Sequence, residues 1–216
     1  MKFNVVLVFL LTAFVSVCFA QEEIEHVKLK NEGNDALRSK DYKKALESYE
    51  ASMAVWPADE TAEAAMIYNA ADCARRINDD EKALKYYTQS QELGYRPDGS
   101  AYYRASSLKS LDREEEMEQL LIKSIAEFKT SSVLGHMKKM LVTYYLKQGA
   151  DSYNNASQTL ASAANADPKQ YDEITKRAND FFAEAKPWFE KVLEYDANNQ
   201  SAVASLKEIS TRLSEK

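Results

Sequence analysis

Small and apolar residues fall at helical intervals along this chain, and in three stretches they fall in the same order. The first stretch, Lys30 to Pro57, carries Gly33, then Asp41-Tyr42-Lys43-Lys44-Ala45-Leu46, then Tyr49 and Trp56-Pro57. The second begins at Tyr68-Asn69-Ala70-Ala71 and continues with Ala74, Asp80-Glu81-Lys82-Ala83-Leu84, Tyr87 and Ser90. The third begins at Tyr102 and continues with Ala105, Leu108, Asp112-Arg113-Glu114-Glu115-Glu116-Met117, Leu121 and Ser124. Ala45, Ala83 and Met117 are equivalent positions, spaced by 38 and 34 residues, and the longer step accommodates extra loop residues around Ala58 to Glu60. Each stretch predicts two helices joined by a turn. Gly33, Ala71 and Ala105 are small where the two helices of a unit cross; Ala45 and Ala83 do the same from the second helix. Tyr49, Tyr87 and Leu121 follow one turn later and fill the gap to the neighbouring pair. Pro57 and Pro97 read as helix stops. A single pair leaves its apolar flank wet, whereas stacked pairs bury it.

The C-terminal part is less regular. Leu134, Met137, Leu141 and Tyr144 predict a helix over Val133 to Gln148, and Asp151 to Asp167 is rich in Ala, Asn and Ser. Pro168 opens a long helix through Tyr171, Ile174, Ala178, Phe181, Phe182, Ala185, Trp188, Phe189 and Val192. Residues 131–197 therefore read as a fourth pair with lengthened helices, or as one containing an additional short helix between Asp151 and Ala164. The 68 residues from Met117 to Ala185, two repeat lengths, keep the second version open. Ala202, Leu206, Ile209 and Leu213 predict a final capping helix within 198–216.

These residues resemble the tetratricopeptide repeat, whose signature places Gly, then Ala and an aromatic four residues on, then Pro, at a period near 34. The first unit matches through Gly33, Ala45, Tyr49 and Pro57, with Leu29 and Ala36 in place of an early Trp and a mid-helix Tyr. The second lacks the closing Pro in register, and the third is degenerate. The resemblance implies an all-α fold: a right-handed superhelical array of antiparallel helix pairs, three of them within 21–130, closed by the C-terminal capping helix. It also implies a peptide-binding groove lined by the first helix of each unit. Lys30, Asn34 and Arg38 would come from the first unit, Tyr68, Asn69, Asp72 and Arg76 from the second, and Tyr102, Ser106 and Lys109 from the third. Lys30, Asn34 and Asn69 match part of the carboxylate clamp of tetratricopeptide co-chaperones. Gly99 and Tyr103 stand where that clamp has a Lys and an Arg, though Arg104 is adjacent, so the third unit breaks the motif.

Composition fits this picture. The 216 residues include only five Gly and four Pro, which favours helices. Charged residues at 29% and hydrophobic ones at 45% allow a packed, water-soluble body. Residues 1–20 differ: Lys2, an apolar run from Val5 to Val17, and a small residue at Ala20 before Gln21-Glu22-Glu23 read as a signal peptide cut after Ala20. The run is too short to span a bilayer comfortably, and Val17 is too large to precede a lipoprotein cysteine at Cys18. Cleavage would remove Lys2, leaving 27 basic against 34 acidic side chains, a formal charge of −7. That charge disfavours nucleic acid as a partner. Cys73 would remain as the sole cysteine, excluding an intramolecular disulfide, and its place in an apolar pattern predicts a buried, inert thiol.

Candidate chemistry is sparse. His26 and His136 are far apart and stand in no metal-ligand spacing; phosphate-loop and nucleophile-elbow motifs are absent from the sequence. Glu114 to Glu116 read as solvated residues at a helix start, and the sequons at Asn155 and Asn199 as chance matches. No catalytic residue, metal site or cofactor is predicted. The expectation is a non-catalytic interaction scaffold of a bacterial cell envelope, periplasmic or envelope-associated, with release to the medium as the other destination. It would bind a protein or peptide and would not insert into the membrane after cleavage. The alternative is a structural subunit of an envelope assembly that contacts partners through Phe181, Phe182, Trp188 and Phe189.

Overall fold

The structure, a computed structural model, describes residues 25–214. The segment read as a signal peptide, 1–20, lies outside the described residues. Among these residues the regular structure is helical and no strand occurs. The elements are α1 (25–38), α2 (Tyr42–Ala54), α3 (Ala64–Arg76), α4 (Asp80–Glu92), α5 (Pro97–Ser110), α6 (Glu114–Glu127), α7 (Leu134–Ser162), α8 (Pro168–Tyr195) and α9 (Gln200–Ser214). A 3₁₀ turn over Ala163–Asn165 follows α7. Packing divides the chain after Leu120 into two units, each with its own core.

In the first unit the repeat is visible in the turns as well as the helices. Lys40, Asn78 and Asp112 adopt left-handed backbone with φ of 64°, 60° and 56°. They occupy the turn inside each pair. Asp41 and Asp79 follow the first two and cap α2 and α4, accepting from the Lys44 and Lys82 amides at 3.2 and 3.1 Å. Buried serines repeat in step. Ser52 donates to the His26 carbonyl at 2.8 Å and Ser90 to the Ala64 carbonyl at 3.3 Å, each tying a second helix to the start of its first. Ala45, Ala70, Ala71, Ala74, Ala83, Ala101 and Ala105 are fully buried, so the helices approach closely. Tyr49 and Tyr87 fill the space beside them, also fully buried; burial of each large side chain stabilises by roughly 2–3 kcal/mol. Gly33 is required by this contact: a Cβ there would lie 2.7 Å from the Tyr49 ring.

Pro97 departs from the sequence expectation. It opens α5 at the first turn instead of stopping a helix, because the turn ends at Arg96, whose left-handed backbone (φ 44°) hands the chain to a residue with preset helical φ.

In the second unit α7 runs unbroken through the segment where a separate short helix was the alternative. Val142, Gly149 and Ala156 are buried at seven-residue intervals along it, and Ala163 continues the series in the 3₁₀ turn. Against them α8 buries Ala178, Phe182, Ala185, Phe189 and Val192, spaced four, three, four and three. Small residues on α7 face large ones on α8: a Cβ on Gly149 would meet the Phe189 ring at 3.0 Å. This stripe carries α8 through Pro187, an interior position that costs a helix one hydrogen bond. α9 buries Ala202 and Ile209 and leaves Val203, Lys207 and Glu208 exposed. Tyr153 of α7 donates to Glu208 of α9, and Arg212 grips the same carboxylate at 3.0 Å.

Candidate binding face of the first unit

The first helices of the three pairs, α1, α3 and α5, supply the residues singled out by the resemblance. Two of them meet on one atom. The Tyr49 hydroxyl donates to Asn34 Oδ1 at 2.8 Å and is also bonded by the Asn69 side chain. Burial raises this phenol to about 12, with Cys73 adding to the rise and Asn69 and Arg38 opposing it. Tyr49 therefore stays a hydrogen-bond donor at neutral pH. Asn34 and Asn69 keep an amide NH₂ group and an amide oxygen, respectively, beyond that bond.

Lys30 of α1 reaches the residue before α3: its Nζ stands 2.6 Å from Glu63 Oε1, with the Lys30 side chain only 18% exposed. Glu63 occupies the N-cap position of α3 without capping it.

Asp72 organises the C-terminal half of α3. Its Oδ1 accepts from Arg75 at 2.5 Å and its Oδ2 from Arg76 at 2.7 Å. Burial alone would raise this carboxyl; the bonds from Arg76 and Arg75 outweigh it and hold the group below its usual value. The two arginines then diverge. Arg76 lies over the Tyr42 ring at 4.8 Å and donates to its hydroxyl at 3.2 Å. Arg75 lies over the Tyr103 ring at 4.7 Å, and Tyr103 stacks on buried Tyr87 at 5.3 Å. One carboxylate thus fixes two guanidinium groups, each seated on an aromatic ring of another pair.

The remaining predicted residues divide. Arg38 is exposed and pairs with Asp35 at 2.9 Å; Lys109 is exposed near the end of α5; Tyr102 is half-buried with its ring 5.1 Å from Tyr103. Tyr68 belongs to the core. It is 8% exposed, edge-on to Tyr87 and Tyr95, with Arg96 over its ring at 5.3 Å. Sequence reasoning passed over Arg75, Tyr42 and Glu63. Arg75 carried a local signal, standing three residues after Asp72; Tyr42 and Glu63 act across pairs and left none. Among the described residues no group of His, Cys, Asp and Glu stands together as a metal site, and no helix is long and apolar enough to cross a membrane.

Helix pairs in series, joined by like turns and buried serines, define a helical-repeat protein. Residues 26–94 match the family model of the tetratricopeptide repeat. A TPR repeats protein from Bacteroides fragilis has a similar fold, with a TM-score of 0.55 at 18% identity over 87% of this chain and 98% of that one. A candidate protein-binding protein from Bacteroides ovatus gives 0.49 at 12% identity over 87% of this chain and 97% of that one. Yeast Tom70 gives 0.42 at 16% identity over 89% of this chain and 44% of that one. No curated protein matches the sequence significantly.

Proposed function

We propose that this protein is a non-catalytic scaffold of a bacterial cell envelope, exported by its N-terminal segment, and that it holds a peptide or a protein segment in a groove along α1, α3 and α5. The convergence of Asn34 and Asn69 on Tyr49 carries this reading. It fixes two amide side chains from successive first helices with a donor and an acceptor left over, a pairing suited to an extended backbone. Arg75 and Arg76 on their tyrosine seats add rigid, amphipathic contact surface of the kind that anchors interfaces. Among the shifted groups here, the tyrosines and Cys73 are raised by burial and Asp72 is lowered by its arginines. Neither change readies a group to exchange a proton near neutral pH.

The alternative, contact through the aromatics of α8, loses much of its motive. Phe182 and Phe189 are 1% and 4% exposed and belong to the core of the second unit.

The test uses exposed Arg38 and Lys109 and half-buried Tyr102, because Asn34 and Asn69 also support the core. Arg38→Ser, Tyr102→Ala and Lys109→Ser are combined, folding is checked by circular dichroism, and partners are captured from envelope extract of the native host. The triple variant is expected to lose the partner that the parent retains. Equal capture by both would remove the groove as the binding site. Mass analysis of the exported protein is expected to give a chain beginning at Gln21.

A further inference from the structure

Resting on that groove, the charges along it narrow what can enter. Binding a chain's terminal carboxylate requires a cation or a cluster of N–H donors not already committed elsewhere. Four cations on this face are committed. Lys30 is held by Glu63 at 2.6 Å, Arg38 by Asp35 at 2.9 Å, and Arg75 and Arg76 both by Asp72. On α5, Gly99 and Tyr103 bring no charge, and the neighbouring Arg104 is half-buried and donates to Gln91 Oε1 at 2.7 Å. Lys109 is exposed near the last turn of that helix, away from the two asparagines in sequence and by element.

The Lys30–Glu63 pair is the informative one. A glutamate at a helix N-cap ordinarily gains by turning to the first backbone amides and the positive end of the helix. Glu63 makes no such bond and reaches Lys30 instead, 33 residues away in sequence. Lys30 stands one helical turn before Asn34 on α1, so Glu63 takes the lysine that an incoming carboxylate would otherwise find beside that asparagine.

We infer that Glu63 determines specificity: by occupying Lys30 it bars free carboxyl termini, so that the groove accepts an internal, extended stretch of a partner polypeptide. Asn34 NH₂ and Asn69 Oδ1 then meet a backbone carbonyl and a backbone amide that every internal residue offers. Glu63→Gln keeps the shape and a neutral acceptor while releasing the charge of Lys30.

The probe is a pool of fluorescein-labelled random octapeptides, synthesised once as free acids and once as C-terminal amides. Both are passed over immobilised full-length protein. The parent retains the two pools equally. Glu63→Gln retains the free acids about fivefold better than the amides, the scale of one new charge-assisted bond, and Glu63→Ala does the same should the glutamine variant fold poorly. Adding Lys30→Met to either variant abolishes the preference. A parent that already favours free acids overturns the inference, as does a Glu63 variant with no preference or a preference that survives Lys30→Met. Retention of neither pool by any of these proteins overturns it too; the scaffold reading then still stands or falls on partner capture with the groove-edge variant.

Discussion

At the scale of single residues, two glycines separate what a position permits from what a helix prefers. Alanine in a helix interior gains about 1 kcal/mol over glycine. At Gly33 that gain is outweighed, since the new Cβ would stand 2.7 Å from a Tyr49 ring that is fully buried and held at its hydroxyl. Overpacking of this kind costs about 1–3 kcal/mol, so Gly33→Ala is expected to lower stability by about 1–2 kcal/mol in urea unfolding. Gly135, with nothing within 4 Å of its would-be Cβ, is the control: Gly135→Ala should raise stability by about 0.5 kcal/mol. Asp72 gives a prediction in pH. Its carboxyl is held below the ordinary value by Arg76 and Arg75, so the folded state favours the ionised form. That contribution is complete above the unfolded-state value, near 4, and is lost as pH falls toward the depressed folded value. Asp72→Asn should cost about 2 kcal/mol at neutral pH, with the gap to the parent closing below about pH 4. A gap that stays constant down to pH 2.5 would exclude ionised Asp72 as the organiser of the two arginines. Neither Tyr68 nor Asn69 could be sorted from sequence. Both are polar-capable residues on a first helix, and only their neighbours make one a core residue and the other a support for Tyr49.

At the scale of elements, α8 shows burial overruling propensity. Pro187 removes one backbone hydrogen bond and ordinarily bends or ends a helix. Here Phe182 and Ala185 before it and Phe189 and Val192 after it all lie in the core, so ending the helix would expose the second half of that stripe. Pro187 itself is exposed. Pro187→Ala should therefore raise the melting temperature, by an amount corresponding to at most about 3 kcal/mol. An unchanged or lowered value would mean that the proline's bend is needed by the packing. The helix positions of α2 to α5 were legible because period, small residues and capping aspartates agree locally. The full length of α7 was not, because Asp, Asn, Ser and Thr make up most of 151–162 and are poor helix formers by themselves. They are held by the buried faces of Ala156 and Ala163 against α8.

At the scale of the molecule, two cores on one chain predict two cooperative groups. Helical-repeat chains are stabilised by nearest-neighbour contacts, so protection spreads within a packed unit. Native-state hydrogen exchange is expected to resolve amides of α2 to α5 and those of α7 to α9 into two sets, each with its own opening free energy. One common value for all of them would contradict independent cores. Cys73 reports on the first set. Burial lifts its thiol to about 12, and it should react with a thiol reagent only as that unit opens.

The repeat register, the helix pairs and the small-against-large packing were determined by the sequence alone, because each rests on spacings of three and four residues that any helix must satisfy. The partnership of Lys30 with Glu63, the hold of two asparagines on Tyr49 and the seating of two arginines on tyrosines from other pairs were decided only in the tertiary structure. Those join residues whose separation in sequence carries no periodic mark, and their free energy depends on burial and charge that exist once the pairs have stacked.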